Sequence, residues 1–245
     1  MIPNPPVVVL VHGAFAESAS WDPVIPLLSE QSLDVVAVAN PLRGVTADAA
    51  YLSDVVAGLG RPVVLVGHSY GGLVITAAAD GDDAVTALVY VAAFAPDHGE
   101  SAIELSGRFP GSTLGDTLLR YHLTGDGDEV RIDPARFHDQ FAADVPADRA
   151  ALMAVTQRPV TVAALTEGLT SAEPAWRRLP SWFVFGDLDR NIPVAQLRAM
   201  AERAGARGVR EVAGASHAIT VSQPGPVADA VLTAVRETAG VRSWT

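Results

Sequence analysis

The 245-residue sequence contains no cysteine and no lysine. Without cysteine there is no disulfide framework, zinc–thiolate site, iron–sulfur cluster or thiol nucleophile. All 17 basic residues are arginine, which excludes Schiff-base chemistry, a pyridoxal phosphate anchor and a phosphate-loop lysine. Charge is sparse at 18%, and acidic residues outnumber basic ones 28 to 17, giving a net charge of −11. An acidic surface repels phosphate backbones and anionic lipid, so neither nucleic acid nor a membrane is expected as a partner. Long apolar runs are missing too. No stretch approaches the roughly 20 apolar residues of a spanning helix. The run Val7–Val11, behind an uncharged Met1–Pro6, is too short for a signal core. A cytoplasmic protein is expected.

What is present is 49% hydrophobic residues, enough for the core of one large α/β domain. Apolar runs that suit strands buried on both faces occur at Val7–Val11, Asp34–Ala39, Pro62–Val66, Val85–Ala92, Ser181–Phe185 and, more briefly, Gly208–Val212. Helices are expected between them: Pro23–Glu30 after an Asp22 cap, Ala47–Leu59 capped by Thr46, Tyr70–Ala79, Pro193–Ala204, and Pro226–Thr238 ending before Gly240. This alternation predicts a mostly parallel, doubly wound sheet. From about Asp97 to Arg178 the rhythm breaks and no strong strand run appears. That segment, punctuated by Gly125-Asp126-Gly127-Asp128, reads as a mostly helical cap (97–178) inserted into a core formed by 1–96 and 179–245. Its helices include Pro134–Ala142 and Ala147–Thr156.

The segment Gly67-His68-Ser69-Tyr70-Gly71 fits a G-x-S-x-G nucleophile elbow, and its context gives the motif weight. The strand Val63–Val66 runs straight into it, and a helix of small and apolar residues follows. The turn between them is tight, so Gly67 and Gly71 spare side chains that would clash and Ser69 takes a strained backbone conformation. A serine hydroxyl needs a base. His217 is the candidate, in the loop Gly214-Ala215-Ser216-His217 between the last strand and the last helix. His12 and His68 read as parts of motif turns; His98, His122 and His138 lie at the border of the cap or inside it. The base needs an acid, and Asp189, in Gly186-Asp187-Leu188-Asp189-Arg190-Asn191-Ile192-Pro193, is the candidate, with Asp187 and Asp97 as alternatives. A developing oxyanion needs backbone donors. Tyr70, directly after the nucleophile, supplies one; Ala14, after His12-Gly13, supplies the other, with Phe15 as the alternative. No metal or organic cofactor is called for.

These pieces resemble the α/β-hydrolase fold family in order and in the elements that carry them, over essentially the whole chain. The Val11-His12-Gly13-Ala14 start, Trp21 and the compact cap resemble the small branch of plant methylesterases, hydroxynitrile lyases and their bacterial carboxylesterase relatives. The resemblance implies a serine hydrolase cleaving a small or medium carboxylic ester through an acyl-Ser69 intermediate. The same triad also serves carbon–carbon hydrolases and hydroxynitrile lyases, but the lyases use a late lysine that this sequence lacks. A non-catalytic ligand-binding protein is the third reading. Dehalogenases and epoxide hydrolases of this fold use an aspartate where Ser69 stands. Phe15, Phe94, Phe137, Phe141 and Trp176 are expected to line an apolar substrate pocket, alongside other apolar cap residues such as Leu114 and Met153. His138 and Asp139 read as a solvated helix face. The partners implied are a small-molecule ester and, as protein, no more than a second copy of the chain in a homodimer.

Overall fold

The structure, a computed structural model, describes residues 5–125 and 127–239. Met1–Asn4, Asp126 of the Gly/Asp turn segment and the helix stop at Gly240 lie outside the described residues. In chain order the elements begin β1 (Val7–Val11), α1 (Val24–Ser29), β2 (Val35–Val38), α2 (Val45–Leu59), β3 (Val63–His68), α3 (Gly71–Ala78) and β4 (Val85–Val91). The middle of the chain forms α4 (Ala102–Gly107), β5 (Leu118–Leu123), β6 (Gly127–Ile132), α5 (Pro134–Phe141), α6 (Ala147–Thr156), β7 (Val160–Thr161) and α7 (Val162–Thr166). The chain then continues through β8 (Ser181–Gly186), α8 (Val194–Arg203), β9 (Gly208–Val212), α9 (Ile219–Ser222) and α10 (Pro224–Thr238). None of these helices is long and apolar enough to cross a membrane.

Six strands form one sheet in the order β2-β1-β3-β4-β8-β9, and every neighbouring pair is parallel. β1 and β3 are buried along their whole length, which is why their sequences are unbroken apolar runs rather than alternating ones. Leu65 sits between Val9 on one side and Leu88 on the other. From β1 the chain crosses outward to β2 and then returns to β3 on the opposite side. The carboxyl ends of β1 and β3 therefore face the crevice where strand order reverses, the place where ligands bind in open α/β sheets. Helix α10 lies against β4 and β8 and carries α1, while α2 packs on α3, which lies against β3.

The cap is not purely helical. β5 and β6 pair antiparallel from Leu118 opposite Ile132 to Leu123 opposite Gly127, and β7 adds a short third strand against Glu129 and Val130. The apolar pattern misses this sheet because no residue of β5 is buried, and β6 buries only Glu129, Val130 and Ile132. Two expected caps also differ. No side chain caps α1, which follows Pro23. Helix α2 begins at Val45 after Gly44, and Thr46 instead gives its backbone N–H and hydroxyl to Glu167 beyond α7, at 3.1 and 2.5 Å.

Candidate active site

Ser69 occupies the turn between β3 and α3 with φ +53°, a conformation that costs a non-glycine residue about 1–3 kcal/mol and marks a position held by its surroundings. The turn is cramped on two sides. A Cβ at Gly67 would stand 2.6 Å from the Gly71 carbonyl oxygen, and one at Gly71 would stand 2.5 Å from that of Val11. A third glycine binds the β1 loop to the same point: a Cβ on Gly13 would meet the Ser69 Cβ at 2.6 Å and the Tyr70 nitrogen at 3.1 Å. The loop after β1 thus passes directly over the serine.

His12 stabilises that loop. Its Nε2 accepts the Asn40 N–H at 3.0 Å, and its Nδ1–H points to the Gly13 carbonyl at 2.9 Å. Burial lowers its pKa to about 4, so it stays neutral. Of the two backbone donors weighed in this loop, Phe15 is already committed, giving its N–H to the Arg158 carbonyl at 3.0 Å. The N–H groups of Ala14 and Tyr70 have no backbone partner among the described residues, and both residues line the cavity beside Ser69. The Tyr70 hydroxyl is turned away from this role. It donates to Asp48 Oδ2 at 2.9 Å, and burial followed by the Asp48 charge raises the phenol's pKa well above its ordinary value.

His217 is fully buried. Its Nδ1–H donates to Asp189 Oδ2 at 2.6 Å, with neither side chain exposed. Asp189 Oδ1 accepts the N–H groups of Asn191 and Ile192 at 2.8 and 2.9 Å, so both of its oxygens are occupied. The Nδ1–H tautomer leaves Nε2 as an acceptor, and that atom is buried without a hydrogen-bond partner. The rival acids do other work. Asp187 accepts the Gly214 N–H at 2.7 Å, bracing the loop that carries His217, and Asp97 pairs with Arg177 at 2.6 Å.

The histidine next to the serine in sequence serves the other histidine. His68 points its Nε2–H at the His217 carbonyl, 3.0 Å away, and the two rings lie 4.8 Å apart. Burial, then the neighbouring His217, lowers the His68 pKa to about 3, so it remains neutral. The cap holds the loop from its far side: the Ser216 hydroxyl donates to Asp144 at 2.5 Å and the Ala218 N–H to the Phe141 carbonyl at 2.9 Å. The remaining histidines are engaged elsewhere, His98 with the Ser171 carbonyl, His122 with Asp128 and His138 with the Val145 carbonyl.

Ser69 opens into a cavity of about 250 Å³ between the sheet end and the cap. Phe15 and Phe94 line it; Phe137, Phe141 and Trp176 do not. Phe137 stacks on Phe141 at 5.0 Å, and Phe141 stands edge-on to His217, so both serve as backing for the histidine. Trp176 donates its indole N–H to the Pro96 carbonyl at 2.7 Å beneath the Arg177 and Arg203 guanidiniums. Sequence reasoning misses several walls, among them Ile103, Leu118, Leu165, Asn191 and Ile192. Asn191 and Ile192 belong to the acid segment itself and were within reach of the motif reading. The others come from cap elements whose facing is set only by folding. Among the described residues no charged one lines the cavity. A second cleft of about 90 Å³, lined by Ala16, Ser20, Leu152, Met153 and others, adjoins through Phe15, which lines both.

The alpha/beta hydrolase family matches the chain over residues 8–230. A putative chloroplastic methylesterase 11 of Arabidopsis thaliana is 24% identical over 235 residues, covering 88% of this chain, which spans only 60% of that protein's length. An alpha-hydroxynitrile lyase of the same plant is 26% identical over 246 residues, covering 91% of this chain and 94% of its own. Among solved structures, polyneuridine aldehyde esterase superposes with a TM-score of 0.79 at 22% identity, covering 94% of this chain and 98% of its own. With its parallel six-stranded sheet and this breadth of match, the chain belongs to the alpha/beta hydrolase family.

Proposed function

We propose that the protein is a serine hydrolase that cleaves a small or medium carboxylic ester through an acyl-Ser69 intermediate. The observation that carries this reading is the buried Asp189–His217 pair, whose Nε2 is left without a partner on a ring 4.8 Å from that of His68, the residue before the strained Ser69. In the first half-reaction the Ser69 oxygen attacks the ester carbonyl carbon while His217 Nε2 takes the hydroxyl proton. The oxyanion that forms is held by the Ala14 and Tyr70 N–H groups; each such donor contributes about 3–4 kcal/mol to transition-state stability. The tetrahedral species expels the alcohol, to which His217 returns the proton, leaving the acyl-enzyme. His217 then takes a proton from water, whose oxygen attacks the acyl carbon, and returns that proton to Ser69 Oγ as the acyl–oxygen bond breaks and the acid leaves. Asp189 holds the imidazole in the required tautomer and stabilises its cation. Ser69 Oγ and His217 Nε2 share no hydrogen bond in the structure, and the proposed proton transfer requires the two to close to hydrogen-bond distance.

The esterase names of the relatives support the ester as substrate class. The absence of lysine weighs against cyanide chemistry. A fluorophosphonate probe is expected to label the wild-type protein and not Ser69→Ala; a wild-type protein that resists the probe removes the nucleophile. In a panel of p-nitrophenyl esters, cyanohydrins and β-diketones, the esters are expected to be turned over. Cleavage of the cyanohydrins or diketones alone reverses the assignment.

A further inference from the structure

Asn191 is 3% exposed and lines the cavity into which Ser69 opens. Its polar atoms can be accounted for one by one. The backbone N–H donates to Asp189 Oδ1 at 2.8 Å, and the backbone carbonyl accepts the Ser112 hydroxyl at 2.9 Å. The side-chain Oδ1 accepts from Gln140 Nε2 at 2.8 Å.

The orientation of this amide follows from its neighbours. Gln140 Nε2 also meets the Arg190 carbonyl at 2.9 Å, and a carbonyl only accepts, so that atom of Gln140 is a nitrogen. Gln140 Oε1 in turn accepts the Thr113 hydroxyl at 2.8 Å. A group that donates to Asn191 must meet its oxygen, so the Asn191 NH₂ group points away from Gln140. That Nδ2 has no partner among the described residues, yet it is not among the sealed, unpartnered polar atoms. What remains accessible of this nearly buried residue belongs to the cavity wall.

An oriented amide donor in a largely apolar cavity is a recognition element, because leaving it unpaired on substrate binding is costly. Of the other polar side chains on the wall, the Tyr70 hydroxyl is committed to Asp48 and the Ser112 hydroxyl to Asn191, while the half-buried Ser106 hydroxyl turns freely between donating and accepting and so imposes no fixed requirement. We propose that Asn191 is a substrate-binding residue whose Nδ2 donates to a second acceptor oxygen, so that the substrate is a neutral carboxylic ester carrying a ketone or ether oxygen beyond the scissile group. This rests on the ester-hydrolase reading of the same site. A carboxylate-bearing ester is disfavoured, since no cation among the described residues lines the cavity.

The test uses the full chain as Ser69→Ala, in which binding is read without turnover. Affinities for phenyl 3-oxobutanoate and its isostere phenyl 3-methylbutanoate are measured by NMR titration, and the ratio of the two Kd values is compared with that in Ser69→Ala/Asn191→Leu. Loss of one hydrogen bond is expected to move the ratio about five- to ten-fold against the keto ester. Asn191→Asp keeps the size and the bond to Gln140 but removes the donor, and it is expected to move the ratio in the same direction; it carries the test if the leucine variant does not fold. An unchanged ratio in both variants overturns the proposal. So does an equal loss for both ligands, which would make Asn191 a support for Asp189 only. Fluorophosphonate labelling of the parent protein reports separately on Ser69, so failure of the hydrolase reading is distinguishable from failure of this one.

Discussion

Phe141 stands edge-on to His217, ring centroids 4.9 Å apart and planes at 81°, so a cap residue braces the candidate base. The same residue's carbonyl accepts the N–H of Ala218, immediately after the histidine. The cap therefore roofs the cavity and also fixes the histidine in place.

Replacing Phe141 by leucine loosens this brace. Small misplacements of a catalytic group cost up to about 100-fold in rate. Phe141→Leu is expected to lower kcat about ten-fold on a short p-nitrophenyl ester with KM little changed, and to destabilise the fold by about 1–2 kcal/mol. Steady-state kinetics with a urea melt checks both. A change in KM alone would place Phe141 on the substrate side after all.

The two acids of one loop separate cleanly. Asp189→Asn leaves a group that can present an N–H to Nδ1 and select the wrong tautomer, and kcat is expected to fall by about 10⁴. Asp187→Asn removes only a charge from a bond to the Gly214 N–H, and a loss of no more than a few-fold is expected. Equal losses would show that Asp187 shares the acid's role.

Two buried histidines make the fold sensitive to acid. Burial holds the pKa of His12 at about 4 and of His68 at about 3, against 6.5 when unfolded. Between these values the unfolded chain binds more protons than the native one. Stability is therefore fully present well above pH 6.5 and falls as pH drops toward 4, by about 1.5 kcal/mol per histidine from pH 6.5 to 5. Urea denaturation across this range should show the slope, and His68→Gln should reduce it by about half. A flat profile contradicts the assignment.

Phe15, at φ +61°, lines both the cavity and the neighbouring cleft. Phe15→Ala is expected to join the two spaces. The ratio of kcat/KM for p-nitrophenyl decanoate over butanoate should then rise about ten-fold, since each newly buried methylene adds about 0.8 kcal/mol. An unchanged chain-length profile would show that the cleft takes no part in binding.

The sequence by itself determined the scaffold and the candidate chemistry. Parallel strands buried on both faces appear as continuous apolar runs, so β1, β3 and β4 were legible to within two residues at either end. Ser69, His217 and Asp189 stand out in the sequence as candidates because each follows a strand in a short, glycine-marked loop. The tertiary structure alone decided three matters. It chose Asp189 over Asp187 and Asp97, because loop facing rather than spacing determines which carboxylate reaches His217. It moved Phe137, Phe141 and Trp176 off the cavity wall, since an aromatic residue is equally apolar whether it lines a pocket or backs a catalytic loop. And it folded β5 and β6 into a hairpin whose exposed faces carry no alternating apolar signal, because its order comes from strand pairing and a few buried residues.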